Sequence, residues 1–218
     1  DAKAHLVFSK VLCRHDEPEK VIAAKVLAKY LTGSNEAPLK RAFLEKGLCQ
    51  DVSLSVTDGI FQPFVTLSIR NTRQAQFAEA EKCLSDTVRE ILAGGLDKEA
   101  LLAELERMAF SSREIEEPYG LILGLTALDG WLYGDDPLTY IETAGIYDAL
   151  RRKVDGSCFA DLLAELLGDG AKLCKVYLLP SETKAQEDQA AEQARLEADI
   201  AHWDAAAREK AYAAFKAM

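Results

Sequence analysis

Apolar and polar residues alternate from the start of the chain. Over residues 4 to 13, Leu6, Phe8 and Leu12 fall on one side and Val7 and Val11 on the other, the period-two pattern of a strand covered on at least one face. The period then lengthens. Asp16 stands as a helix cap and Pro18 occupies the first turn, where a missing N–H costs little. From Val21 to Leu31 the sequence is apolar almost all round, with Lys25 and Lys29 one turn apart. Such a helix is expected to lie buried against a sheet, its alanines permitting close approach. Gly33 breaks it. Pro38 opens a shorter helix that buries Leu39, Ala42 and Phe43 and stops at Gly47.

Two strands follow, with Val52, Leu54 and Val56 alternating in the first and Val65, Leu67 and Ile69 in the second. Asp58-Gly59 supplies a hairpin turn, and Pro63 requires the second strand to begin after it or to lie at an edge. Three helices come next. The first buries Phe77, Ala80, Leu84, Val88 and Ile91 and ends at Gly94-Gly95; Asp97 caps the second, which carries Leu101, Leu105 and Met108. The third is the apolar stretch after Pro118, where Gly120 and Gly124 would let another element approach closely. Trp131-Leu132-Tyr133-Gly134 closes it, Asp136-Pro137 is expected to start another helix, and Ser157 to cap one more that ends at Gly168. A last strand alternates from Lys172 to Leu179, and Pro180 ends it.

After Pro180 the composition changes. Residues 181–218 are rich in alanine and charge, with Leu196, Ile200, Trp203, Tyr212 and Phe215 as the main apolar anchors, a stripe too thin for a core of its own. The order of elements predicts an α+β fold, a mostly antiparallel sheet with helices packed on one face, over residues 1–180, with a helical linker beginning at 181–218. Strand-like sequence directly after Asp1 reads as a chain excised from something longer.

With 36 Asp and Glu against 26 Lys and Arg, the charge disfavours nucleic acid, whose affinity rests on neutralising phosphates. The longest apolar run, Leu121 to Leu128, falls far short of the roughly 20 residues that cross a bilayer. No membrane partner is expected. The five cysteines, Cys13, Cys49, Cys83, Cys158 and Cys174, are odd in number, scattered and without a CxxC pair, which suits reduced, small buried thiols in the cytoplasm or another reducing compartment.

Chemical candidates are few. Cys13 and His15 share a strand parity with His5, but at about 3.3 Å per residue His5 and Cys13 lie roughly 26 Å apart, too far to share a metal. Thiolate chemistry needs a base in reach, which neighbouring sequence does not establish. Glu114, Glu116 and Glu117 lack the Gly turn and alternating oxygen ligands of a calcium loop and read as a solvated helix end, with Arg113 as an ion-pair partner of Glu114. Trp131 and Tyr133 read as core or interface anchors. In the turn Thr32-Gly33-Ser34-Asn35-Glu36, Gly33 permits backbone approach, and Ser34 and Asn35 can bond to an extended peptide. The alternative is a plain helix-to-helix connection.

Four segments together carry a family resemblance: Tyr30 to Leu48; Ser112-Arg113-Glu114 with Pro118-Tyr119-Gly120-Leu121; Gly130 to Pro137; and Leu178-Leu179-Pro180-Ser181. In this order they resemble the presequence-protease branch of the pitrilysin and insulinase superfamily of zinc metallopeptidases. Those enzymes use an inverted motif, His-x-x-Glu-His. The three histidines here, His5, His15 and His202, do not form it. The resemblance therefore implies a second, non-catalytic domain of the N-terminal half, with the metallohydrolase-like α/β roll. It implies that the turn at Gly33, Ser34 and Asn35 faces a peptide-binding chamber. No cofactor is expected in this chain, and zinc is expected in the parent's catalytic domain. The partners would be other domains of the same polypeptide and short unstructured peptides. A second reading is an inactive structural or protein-interaction module of the same fold.

Overall fold

The computed structural model describes residues 3–115 and 117–216, and divides into two compact units, Asp1–Leu179 and Pro180–Met218. The first unit runs β1 (Ala4–Val11), α1 (Pro18–Thr32), α2 (Pro38–Glu45), β2 (Asp51–Thr57), β3 (Phe64–Thr72), α3 (Phe77–Gly94), α4 (Lys98–Ser111), α5 (Tyr119–Trp131), α6 (Ala144–Lys153), α7 (Cys158–Leu167) and β4 (Cys174–Leu178). The second holds α8 (Lys184–Ile200) and α9 (Ala205–Lys216), in neither of which any residue is buried.

All strand pairs are antiparallel, in the order β2-β3-β1-β4. The register places Leu6 opposite Ile69 and Phe8 opposite Leu67, and then Leu67 opposite Leu54 and Ile69 opposite Val52. One face is thus a continuous apolar surface and all six side chains are buried. The other face carries Ser9, Ser53, Ser55, Thr66 and Ser68, with Ser9 Oγ and Thr66 Oγ1 3.2 Å apart. This period-two sorting is why the helices occupy a single side.

Against the apolar face lies α1. Val21, Val26, Leu27 and Leu31 are each 0% exposed, which at about 1.5 to 3 kcal/mol per side chain amounts to about 6 to 12 kcal/mol. That is comparable with the net stability of a whole domain, so α1 is the element about which the rest is organised. Pro18 does sit at its start, but Glu17 and not Asp16 holds the N-cap position, with no side-chain bond to the helix. Glu17 Oε1 instead accepts from the Arg14 N–H at 3.1 Å.

Three further expectations are corrected. Asp136-Pro137 opens consecutive turns, with Asp136 Oδ1 accepting from the Leu138 N–H at 2.8 Å, and the helix begins only at Ala144. Ser157 precedes α7 as expected but its hydroxyl goes to Asp161 Oδ2 at 2.6 Å instead of capping. Cys174 is exposed, unlike buried Cys13 and Cys83. Elsewhere the expected features recur: β3 starts directly after Pro63, α3 ends at Gly94, and Asp97 Oδ1 caps α4 by accepting from the Glu99 and Ala100 N–H groups; Gly47 and Gly95, just past two of the helices, have positive φ. Among the described residues, no helix is long and apolar enough to cross a membrane.

Candidate functional site

The turn between α1 and α2 is built by the residues that flank it. Thr32, the last residue of α1, donates its hydroxyl proton to the Ala28 carbonyl at 3.0 Å and accepts from the Leu54 N–H at 2.9 Å. Since β2 is an edge strand, this hydroxyl occupies a backbone donor that would otherwise be left unpaired. Tyr30 Oη accepts from the Asp97 N–H at 3.0 Å, tying α1 to the start of α4.

Gly33 ends the helix with its N–H donating to the Lys29 carbonyl at 2.7 Å. Its backbone is right-handed helical, with φ −68° and ψ −20°, and not the left-handed conformation that usually calls for glycine at a helix end. Glycine is required for a different reason: a Cβ would stand 2.4 Å from the Lys29 carbonyl oxygen.

Gly33, Ser34 and Asn35 are all exposed. Of the three, Ser34 lines a groove of about 400 Å³ with Lys29, Glu36, Arg41, Asp97 and Glu104, while Gly33 and Asn35 stand outside it. The groove thus mixes two cationic and three anionic residues. Among the described residues neither the Ser34 nor the Asn35 side chain hydrogen-bonds to the protein.

The sequence did not reveal a second polar centre, where the β1–α1 corner, the β2–β3 hairpin and the segment after α5 meet. His15 is 4% exposed, and its Nδ1 lies 2.6 Å from Asp135 Oδ2. Its ring packs beside Phe61 and Tyr133, at 5.1 and 5.2 Å between centroids. Tyr140 donates its hydroxyl to the His15 carbonyl at 2.5 Å, and burial pushes that phenol well above its ordinary range. Close by, Lys25 pairs with Asp58 at 2.5 Å, and burial followed by the Asp58 charge raises the Asp129 carboxyl. Gly130 to Pro137 contained the signal, but a carboxylate 120 residues from its histidine cannot be matched by spacing. His15 thus packs between Phe61 and Tyr133 with Nδ1 on Asp135, and among the described residues it belongs to no group of three metal-ligating side chains.

The other candidates disperse. Burial pushes the Cys13 and Cys49 thiols up to about 11, so neither is a thiolate at neutral pH. Glu114 and Glu117 are exposed, as a solvated helix end requires, and Glu116 lies outside the described residues. No Arg113–Glu114 ion pair forms among the described residues. Tyr133 is an anchor on His15, whereas Trp131 is 60% exposed. A groove of about 600 Å³ beside the start of α1 and α7 has Ile146, Cys158 and Leu162 in its wall, but its rim carboxylates are largely paired, Glu165 with Lys20 at 2.8 Å and Glu19 with Lys153. Among the described residues no group of three His, Cys, Asp or Glu could hold a metal ion.

Comparison with known proteins follows the same lines. Residues 1–108 match the family model of the peptidase M16 inactive domain. The protein HypA of Clostridium perfringens is 29% identical over 183 residues, which cover 83% of this chain and 19% of that protein. Presequence protease 1, chloroplastic/mitochondrial, of Arabidopsis thaliana is 26% identical over 184 residues, 81% of this chain and 17% of that protein. The chain thus spans less than a fifth of the length of these curated relatives.

Among solved structures, the inactive peptidase domain of a zinc protease from Bordetella parapertussis matches with a TM-score of 0.64 at 13% identity, covering 84% of this chain and 93% of that one. A zinc protease structure from Bordetella pertussis Tohama I gives 0.67 at 13% identity over 82% of this chain and 96% of that one. These establish a shared fold. Taken with the sequence matches, they make the chain similar to the peptidase M16 inactive domain in fold and, over residues 1–108, in sequence.

Proposed function

We propose that the chain is a non-catalytic, chamber-forming domain of a zinc-dependent oligopeptidase, the second domain of its N-terminal half, with residues 181–218 beginning a helical linker. It supports the catalytic domain and helps bind short unstructured peptides, while a zinc ion held elsewhere in the polypeptide activates the attacking water. The observation that carries this reading is the α1–α2 turn. Thr32 and Tyr30 are engaged inward, whereas Ser34 and Asn35 present unengaged polar groups outward, Ser34 at a groove edged by both charge signs. Extended peptides are recognised through such polar groups. Five unbridged cysteines favour a reducing compartment.

The test uses the full-length polypeptide and a short peptide substrate. Replacing Ser34 or Asn35 with Ala removes one hydrogen bond, worth about 0.5 to 1.5 kcal/mol, and should raise KM by about 2- to 12-fold with kcat unchanged. The 218-residue chain alone should hydrolyse nothing. An unaltered kcat/KM in the double variant would leave the turn as a helix-to-helix connection. The second reading, an interaction module of the same fold, gains if the full-length open reading frame lacks His-x-x-Glu-His.

A further inference from the structure

Helix α5 is apolar around nearly its whole circumference, yet Gly130 is its sole buried residue. One side, with Tyr119, Ile122, Leu123 and Thr126, looks across a cavity of about 340 Å³ toward Ser112, Tyr140 and Ile141 of the same domain. At about 100° per residue, the other side gathers Gly120, Leu121, Gly124, Leu125, Trp131 and Leu132 within an arc of roughly 140°, with Leu128 at its centre. That arc contains no charge. Leu121, Leu125, Trp131 and Leu132 are 56 to 67% exposed. Exposed apolar surface of this extent marks a place where another molecule sits.

The distribution along the arc is asymmetric. Its start is small, with Gly120 and Gly124, and its end is large, with Trp131 and Leu132. A Cβ at either glycine would meet nothing within 4 Å, so this domain's own packing does not call for them. Each nevertheless costs the helix about 1 kcal/mol relative to alanine. A neighbour approaching from outside does call for them.

We propose that this face is a homotypic interface, on which α5 of a second copy of this chain packs antiparallel about a two-fold axis. In that arrangement Trp131 and Leu132 of each copy cover Gly120 and Gly124 of the other, so large meets small at both ends. A two-fold interface demands such self-complementarity. A parallel pair would set Trp131 against Trp131 and glycine against glycine. The antiparallel pair also opposes the two helix dipoles. The exposed arc offers on the order of 600 Å² per copy, so pairing buries about 1,200 Å², the lower end of the range for specific interfaces. The inference is independent of the peptidase reading.

Sedimentation equilibrium of the 218-residue chain over about two decades of micromolar concentration tests it. The average mass should rise from 23.9 kDa toward twice that value, with a blue shift of the Trp131 emission. Gly124→Leu is the decisive variant. A Cβ there meets nothing within 4 Å in the single chain and leucine improves helix propensity, so the variant should melt no lower than the parent while remaining monomeric throughout. A second variant, Leu125→Lys, should likewise be monomeric. A wild-type chain that stays at 23.9 kDa over the whole range, as when α5 instead seats a helix of a longer polypeptide, would overturn the proposal. So would a dimer that Gly124→Leu leaves intact.

Discussion

Thr32→Val is the sharpest probe of how the α1–α2 corner is held. The substitution keeps shape and β-branching and exchanges a hydroxyl for a methyl. The Ala28 carbonyl, which lies inside a helix, loses little. The Leu54 N–H loses its acceptor, and with Thr32 and Leu54 each 7% exposed, water has poor access to replace it. An orphaned buried donor costs about 1 to 3 kcal/mol, and the added methyl returns up to about 0.8 kcal/mol of apolar burial. A net loss of about 1 to 2 kcal/mol is expected, which for a unit of this size corresponds to a fall in Tm of about 2 to 8 °C. Thermal melts give the size of the effect, and hydrogen exchange gives its location: Leu54 should lose protection in Thr32→Val and retain it in Thr32→Ser. A Thr32→Val protein with unchanged Tm and an equally protected Leu54 amide would refute the account of the hydroxyl as the acceptor at the sheet edge.

Two further outcomes are expected. Gly33→Val should destabilise by about 1 to 3 kcal/mol, because its Cβ collides with the Lys29 carbonyl; Gly145→Ala, at a site with open space in α6, is the control and should be neutral or stabilising in the same melts. Thiol alkylation mapped by mass spectrometry at pH 7 should modify exposed Cys174 well before Cys13 and Cys49, whose rates should climb with pH until about 11. Because the folded state holds those two thiols protonated above their ordinary value of 9.0, the linked stability is present below pH 9 and is lost as pH rises through about 11. Equal labelling of all three at pH 7 would contradict the burial argument.

Periodicity made most of the fold legible. The sheet strands announced themselves by alternation, α1 by its all-round apolar surface and α4 by the Asp97 cap, because each is decided by residues a few positions apart. Where the cause is distant, the reading failed. Asp16 looked like a cap, but the corner is set by Glu17 bonding back to Arg14. Asp136-Pro137 has the composition of a helix start, yet the chain there must first turn so that Asp135 and Tyr140 can reach His15. Apolar composition likewise marked α5 as a helix without showing that its outer face stays exposed among the described residues.

The candidate site divides along the same line. That a turn follows Leu31 was legible from Gly33 and Pro38, but the reason for the glycine was not. A left-handed backbone is the usual cause, whereas here it is the nearness of a carbonyl, which no propensity records. Nor could the sequence separate Ser34 from its neighbours. Ser34 reaches the groove because Tyr30 Oη, one turn earlier, pins α1 to the Asp97 N–H, and that same Asp97 forms part of the groove wall. Asp97 therefore does two jobs: its side chain caps α4 and its backbone N–H fixes the distance across the groove. On the proposed reading, the contribution to peptide binding comes from surface held at fixed spacing. This bond is the element of the α1–α2 corner that holds that spacing against motion of α4.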